Sequence, residues 1–234
     1  MANQYNAAFN TPLALAREPW TAAFFALCAP LLFPILVLLV AQAVMVAPGE
    51  QLALPTSWLL SCFAVALQFA VVSLWSDWLG AGPFAGAMRT SRTWLFAAII
   101  IGPLLLNAPE QLVEAILGGN GDWIYRESYD PEIFAGSSQS LSFLFYVMLL
   151  APIVEEVTYR GVAMGAMLSR GINPLAAAIL ASIAFTLPHT QYSPAALLVV
   201  FVTGLGLAAL RLLSGTIIVP IIAHIAANAA TFLL

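Results

Sequence analysis

Charge is what this sequence has least of. Charged residues make up 8% of its 234 residues, and lysine is missing altogether. A soluble domain carries roughly 25% charged residues, so too few polar side chains are present to cover a water-facing surface. That shortage excludes a soluble enzyme and a disordered tail. With a net charge of −4 and no basic run, the chain also has no electrostatic footprint for nucleic acid. Cysteine is equally scarce. Cys28 and Cys62 both lie in apolar stretches and read as small buried hydrophobes, not as a disulfide or a metal site. Histidine occurs only twice, at His189 and His224.

What fills the chain is apolar. Such residues account for 62% of it, and the mean hydropathy is +0.96. Runs of about 20 apolar residues cross a bilayer core of about 30 Å, and seven candidates are present: 21–46, 57–76, 94–117, 140–166, 174–192, 195–213 and 215–233. The expected fold class is all-α, a polytopic transmembrane bundle of about seven spans with a C-terminal four-helix core. The first span is too long and lacks the basic leader of a cleavable signal peptide. Trp20, Trp58, Trp75, Trp78, Trp94 and Trp123 lie near span ends, as an interfacial aromatic belt requires. No fixed-period repeat or low-complexity tract divides the chain. We read one membrane domain, with N-terminal helices and an outer loop over 1–139 and the motif-bearing core over 140–234.

Arginine placement orients the bundle. With the N-terminus in the cytoplasm, Arg17, Arg89, Arg92, Arg160, Arg170 and Arg211 fall on or toward the inner side. Arg126 alone falls outside, in the acidic loop 118–139. That bias predicts a multi-pass protein of the inner or plasma membrane, N-terminus cytoplasmic and C-terminus outside. The third span is the weakest, because Asn107-Ala-Pro109-Glu110 reads as a cap and a fresh helix start. Glu110 and Glu114 share one helix face and read chiefly as solvated acids at an interfacial helix end, the alternative being a buried functional pair.

Ionisable residues at membrane depth are costly and usually mark function. The fourth span carries Glu155-Glu156-Val-Thr-Tyr-Arg160, the fifth Phe185-Thr-Leu-Pro188-His189, and the seventh His224-Ile-Ala-Ala-Asn228. Glu156 and Arg160 are four apart and can pair. Glu155 points about 140° away from Arg160, free to face a neighbouring helix as a general base would. His224 and Asn228 share a face and offer a ring nitrogen and an amide. Such a set can activate water against a carbonyl and hold an oxyanion. Each group also has a structural use: an ion pair that locks a helix, or a hydrogen bond between helices. Pro152, Pro188 and Pro220 each precede one cluster and can kink its helix and free a carbonyl near it. Simple spanning at 1.5 Å per residue sets Glu155 and His189 at different depths. Tilt, a long fourth helix protruding into the cytoplasm, or a short, offset fifth one must bring them together.

Taken in order, Glu155-Glu156-x-x-x-Arg160, Phe185-x-x-x-His189 and His224-x-x-x-Asn228 resemble the motifs of the CPBP intramembrane proteases. That family includes the CAAX-prenyl endoproteases and bacteriocin-processing or self-immunity proteins. The resemblance covers about 144–231, including Ser214-Gly215-Thr216 ahead of Pro220. It implies a glutamate-dependent endopeptidase without a metal or cofactor, in which Glu155 and His189 activate the attacking water. His224 and Asn228 would hold that water or the oxyanion, braced by Glu156 and Arg160. The implied partners are the lipid bilayer, a peptide or membrane-protein substrate of unstated identity, and a membrane-protein complex, with no nucleic acid. Two alternatives stay open. One is a zinc-dependent membrane protease using Glu155, His189 and His224 as ligands. The other is a non-catalytic scaffold that keeps the motif residues as structural glue. A transporter is a weaker option, since no inverted repeat is detectable.

Overall fold

The computed structural model describes residues 19–46, 54–78, 90–117, 143–190 and 192–233, all of them helical or in short connections between helices. Seven helices result: α1 (Pro19–Met45), α2 (Leu54–Trp78), α3 (Arg92–Leu117), α4 (143–169), α5 (Pro174–Thr186), α6 (Pro194–Ser214) and α7 (Ile218–Leu233). The chain is an all-α membrane protein. Segments Ala26–Met45, Arg92–Ile116 and Pro194–Ser214 are long and apolar enough to cross a bilayer, and Leu60–Leu74, Pro174–His189 and Ile218–Ala230 are shorter apolar helices. Loop 118–139 with Arg126, and also Arg17 and Arg89, lies outside the described residues. So do the side chains of every tryptophan except Trp94, which packs half-buried beside Ala98.

Small residues decide which faces turn inward. Ala23, Ala26 and Ala29 of α1 meet Val162, Ala163 and Ala166 of α4 and Ala177, Ala178 and Ala181 of α5. Alanine on all three helices lets their backbones approach closely, which is how membrane helices gain packing where lipid offers no hydrophobic contrast. The opposite face of α1, with Leu32, Ile35, Leu36 and Leu39, is exposed, as suits contact with lipid tails. Helix α3 fits against α6 and α7 through Ala98, Leu207, Leu210, Val219 and Ala223. At Gly102 the fit is so close that a Cβ would run into the carbonyl of Ala223.

Three expectations need correction here. Helix α3 does not restart at Asn107; it continues through Pro103 and Pro109 to Leu117. Pro109 has no N–H for the carbonyl of Leu105 four residues earlier, but Thr203 Oγ1 of α6 donates to that oxygen at 2.9 Å. The break is repaired from outside. Glu110, one residue on, is not solvated: it is 7% exposed and inside the bundle. Nor does Pro220 kink α7. It falls in the first turn, where an N–H would have no helical partner to lose.

Helix α4 departs most from regular geometry. Its backbone stays right-handed through every junction, yet Tyr146–Leu150 and Val157–Ala163 are wound as π turns around the α segment Ala151–Glu156. Such bulges are rare and concentrate at functional sites. The connections beyond are short and tied. Gly171 (φ 78°) turns the chain out of α4, and Asn173 Oδ1 caps α5 through Leu175 N–H at 2.9 Å. Ser193 caps α6, and Gly215 (φ 69°) closes it with an N–H bond to Arg211 O at 3.1 Å. Only glycine adopts that left-handed turn without strain. Thr216 Oγ1 then accepts from Ile218 N–H at 3.3 Å to start α7.

Candidate active site

The centre of the site is a buried ion pair on α4. Arg160 Nη1 donates to Glu156 Oε1 at 2.8 Å, and neither side chain is exposed at all. Charges this deep are tolerable only when well bonded, and Arg160 has two further holds. Its Nη2 donates to the carbonyl of Gly204 on α6 at 2.9 Å, and its guanidinium lies over the Phe185 ring, 4.5 Å from the centroid. Gly204 permits that grip, since a Cβ there would come within 3.2 Å of both Arg160 Nη2 and Phe185.

His224 of α7 docks on the same carboxylate. Its Nδ1 lies 3.0 Å from Glu156 Oε1. A carboxylate only accepts, so Nδ1 carries the proton and the neutral ring presents Nε2 as an acceptor. Nε2 is 3.9 Å from Glu155 Oε2. That is too far for a direct hydrogen bond but close enough for one water to touch both. The Glu155 side chain is 23% exposed, against none for Glu156. The two adjacent glutamates therefore differ as their helical directions require: one is locked, the other reachable.

His189 lies just beyond α5, where Pro188 interrupts the ladder and the chain tightens into a 3₁₀ turn over Leu187–His189. Its Nδ1 is 3.0 Å from the carbonyl of Phe185. The carbonyl fixes the tautomer in the same way, leaving Nε2 as the acceptor in the neutral ring. Phe185 joins the histidines. Its ring is 5.3 Å from that of His189 and 5.7 Å from that of His224, with Tyr159 a further 5.7 Å edge contact. Helix α4 spans about 40 Å at 1.5 Å per residue, while α5 is short and stops at Thr186, one 3₁₀ turn before His189.

Asn228 lies on the same face of α7 as His224, one turn on, but its amide is engaged elsewhere. Nδ2 donates to the carbonyl of Val147 on α4 at 2.8 Å. The structure thus brings Glu155, Glu156, Arg160 and His224 into one polar cluster, ties His189 to it through Phe185, and anchors Asn228 to the backbone of α4. Among the described residues, no three His, Cys, Asp or Glu side chains form a group able to hold a metal ion.

Some of the geometry was not foreseen. The Glu156–His224 bond, the hub at Phe185 and the carbonyl of Gly204 all lie outside the pairings that helix spacing suggests. The one available signal for Gly204 was a pair of glycines, Gly204 and Gly206, in an otherwise bulky helix. Arg160 and Arg211 are also fully enclosed. They do not serve as loop charges, and of the described arginines only Arg92 and Arg170 remain exposed at helix ends.

Comparison with known proteins agrees with the motifs. The chain is 25% identical over 163 residues to an uncharacterized 24.3 kDa protein of Escherichia coli, covering 68% of this chain and 71% of that protein. No solved structure matches. Residues 137–230 match the family described as Type II CAAX prenyl endopeptidase Rce1-like. That stretch contains all three motifs and helices α4 to α7 almost entirely. The C-terminal region of this membrane protein is therefore similar to the Rce1-like endopeptidases, the kind of family that the motifs had already indicated.

Proposed function

We propose that the chain is a multi-pass intramembrane endopeptidase that hydrolyses a peptide bond with water activated by Glu155 and His189. The observation that carries this reading is the contrast within one cluster. Glu156 is spent on Arg160 and on His224 Nδ1, while Glu155 is partly exposed and faces His224 Nε2 at 3.9 Å. A water seated there can give its proton to the Glu155 carboxylate while its oxygen adds to the scissile carbonyl carbon. The second O–H of that water donates to His189 Nε2, which orients it and takes the place of His224 Nε2 as acceptor at this step. The tetrahedral oxyanion takes a hydrogen bond from the amide of Asn228 that Val147 leaves over. Glu155 then passes its proton to the departing amine as the C–N bond breaks, giving one new carboxyl and one new amino terminus. The catalytic core is the four-helix region 140–234, in a chain of seven crossings with the N-terminus cytoplasmic and the C-terminus outside. Exposed Arg92 and Arg170, at the start of α3 and the end of α4, both fall on the inner side in that arrangement.

The test uses the whole chain in lipid nanodiscs, with a panel of fluorescence-quenched membrane-inserting peptides in ¹⁸O-water. The wild type should release fragments whose new carboxyl carries ¹⁸O. Glu155→Gln should lower turnover by about 10²- to 10⁴-fold at an unchanged melting temperature. Full turnover in that variant would remove Glu155 as the base. A folded wild type that cleaves no peptide would return the protein to the scaffold class.

A further inference from the structure

The carbonyl that holds Asn228 is open for a reason that lies outside all three motifs. In an α-helix Val147 O accepts from the N–H of residue 151, and in a π turn from that of residue 152. Here Ala151 N–H donates to Tyr146 O instead. Residue 152 is proline and has no N–H to give. Both helical partners of Val147 O are thus withdrawn, and Asn228 Nδ2 takes the oxygen at 2.8 Å. We propose that Pro152 is a positioning residue of the active site, which acts through the Val147 carbonyl on the amide of Asn228.

The amide is planar. Once one N–H is fixed on Val147, its second N–H and its oxygen have set directions. Asn228 has a short stem, so the same bond pins α7 against the π turn of α4, one helical turn from His224. The π turn is then more than an irregularity: it is the means by which α4 offers a backbone acceptor to α7. An unbroken helix would keep Val147 O within its own ladder. Asn228 would then rotate freely, its position no longer set relative to Glu155 and His224.

The assignment rests on the hydrolytic reading, and its test has an arm that does not. In the first arm, melting temperatures are measured in detergent for the wild type, Pro152→Ala, Asn228→Ala and the double variant. Alanine at 152 restores a backbone donor to Val147. Asn228→Ala should therefore cost at most half as much in the Pro152→Ala background as in the wild type, and equal costs in both would overturn the clasp. If Pro152→Ala does not fold, Asn228→Asp decides instead. It keeps the shape and lacks the N–H, so it must lower the melting temperature as far as Asn228→Ala does; a wild-type value would overturn the clasp. In the second arm, kcat and KM are measured on whichever quenched peptide the wild type cleaves. Pro152→Ala should lower kcat about 10- to 100-fold with KM unchanged, as misplacement of a reacting group does. Pro109→Ala, the same chemical change in α3, should leave kcat within about twofold. Equal effects of the two prolines on kcat would reduce Pro152 to a structural role. If the wild type cleaves nothing, it is the hydrolytic reading that fails, and the melting-temperature cycle still judges the clasp.

Discussion

Two of the prolines that interrupt helices in this protein, Pro109 and Pro152, each free a carbonyl that a side chain of another helix takes up, in the same currency for different ends. In α3, Pro109 leaves the carbonyl of Leu105 without its helical donor, and Thr203 of α6 supplies a hydroxyl. In α4, Pro152 leaves Val147 O open, and Asn228 of α7 supplies an amide. The hydroxyl of Thr203 is consumed by that single repair, as a group with one proton must be. Asn228 keeps a second N–H and an oxygen in hand. The first clasp joins helices; the second joins helices and aims a side chain. The same contrast separates the N-terminal helices, which contribute packing, from α4 to α7, where the motif residues meet.

The largest effect expected from breaking that division lies at the ion pair. Arg160→Met strips Glu156 of its main partner in a fully buried setting, which should cost about 3–5 kcal/mol. Pairing it with Glu156→Gln should recover part of this, because no uncompensated charge is then left. Denaturation in detergent micelles measures both. A cost below about 1 kcal/mol would mean water reaches the pair.

How much of this could be read beforehand depends on the range of the interaction. Helix positions, the Glu156–Arg160 pair and the divergence of Glu155 follow from composition and from 3.6-residue periodicity, which are local properties. The bond of His224 to Glu156, 68 residues away, depends on how α7 packs on α4, and no local pattern encodes it. Pro109 is the instructive failure. Locally, Asn107 and Pro109 do look like a helix start. Thr203, 98 residues from Leu105, supplies the missing bond and keeps α3 continuous. The same chemistry was legible at Pro152 only as a freed carbonyl, not as the partner of Asn228.

A smaller effect tests whether α3 is mere cladding. Gly102→Ala would drive a methyl into the carbonyl of Ala223, a backbone atom that cannot swing aside. It should cost about 1–3 kcal/mol and shift α7, which carries His224. Gly206→Ala is the control. The Cβ there would come 2.5 Å from Leu105 Cδ2, the far end of a flexible side chain that can move, so melting should change little. Comparable losses in the two variants would show that α3 tolerates no change anywhere along this seam. The Thr203 clasp comes next in size: Thr203→Val should cost about 0.6–1.7 kcal/mol, the range of interhelical hydrogen bonds in membranes, and less in a Pro109→Ala background.

The smallest expected effect draws the boundary between the two regions. Gln68 of α2 is buried, and its Nε2 donates to Thr158 Oγ1 across a long 3.4 Å bond, three residues beyond Glu155. Through this bond α2 reaches the polar turns of α4. Gln68→Met keeps the volume and removes the amide, so only this weak bond is lost. About 0.5 kcal/mol of stability should go, and kcat on a cleaved peptide should hold within about twofold. Should kcat fall tenfold at an unchanged melting temperature, about 1.4 kcal/mol of barrier would trace to Gln68. A side chain from outside the Rce1-like region would then be setting the chemistry, and the division of labour between the two halves would have to be redrawn at α2.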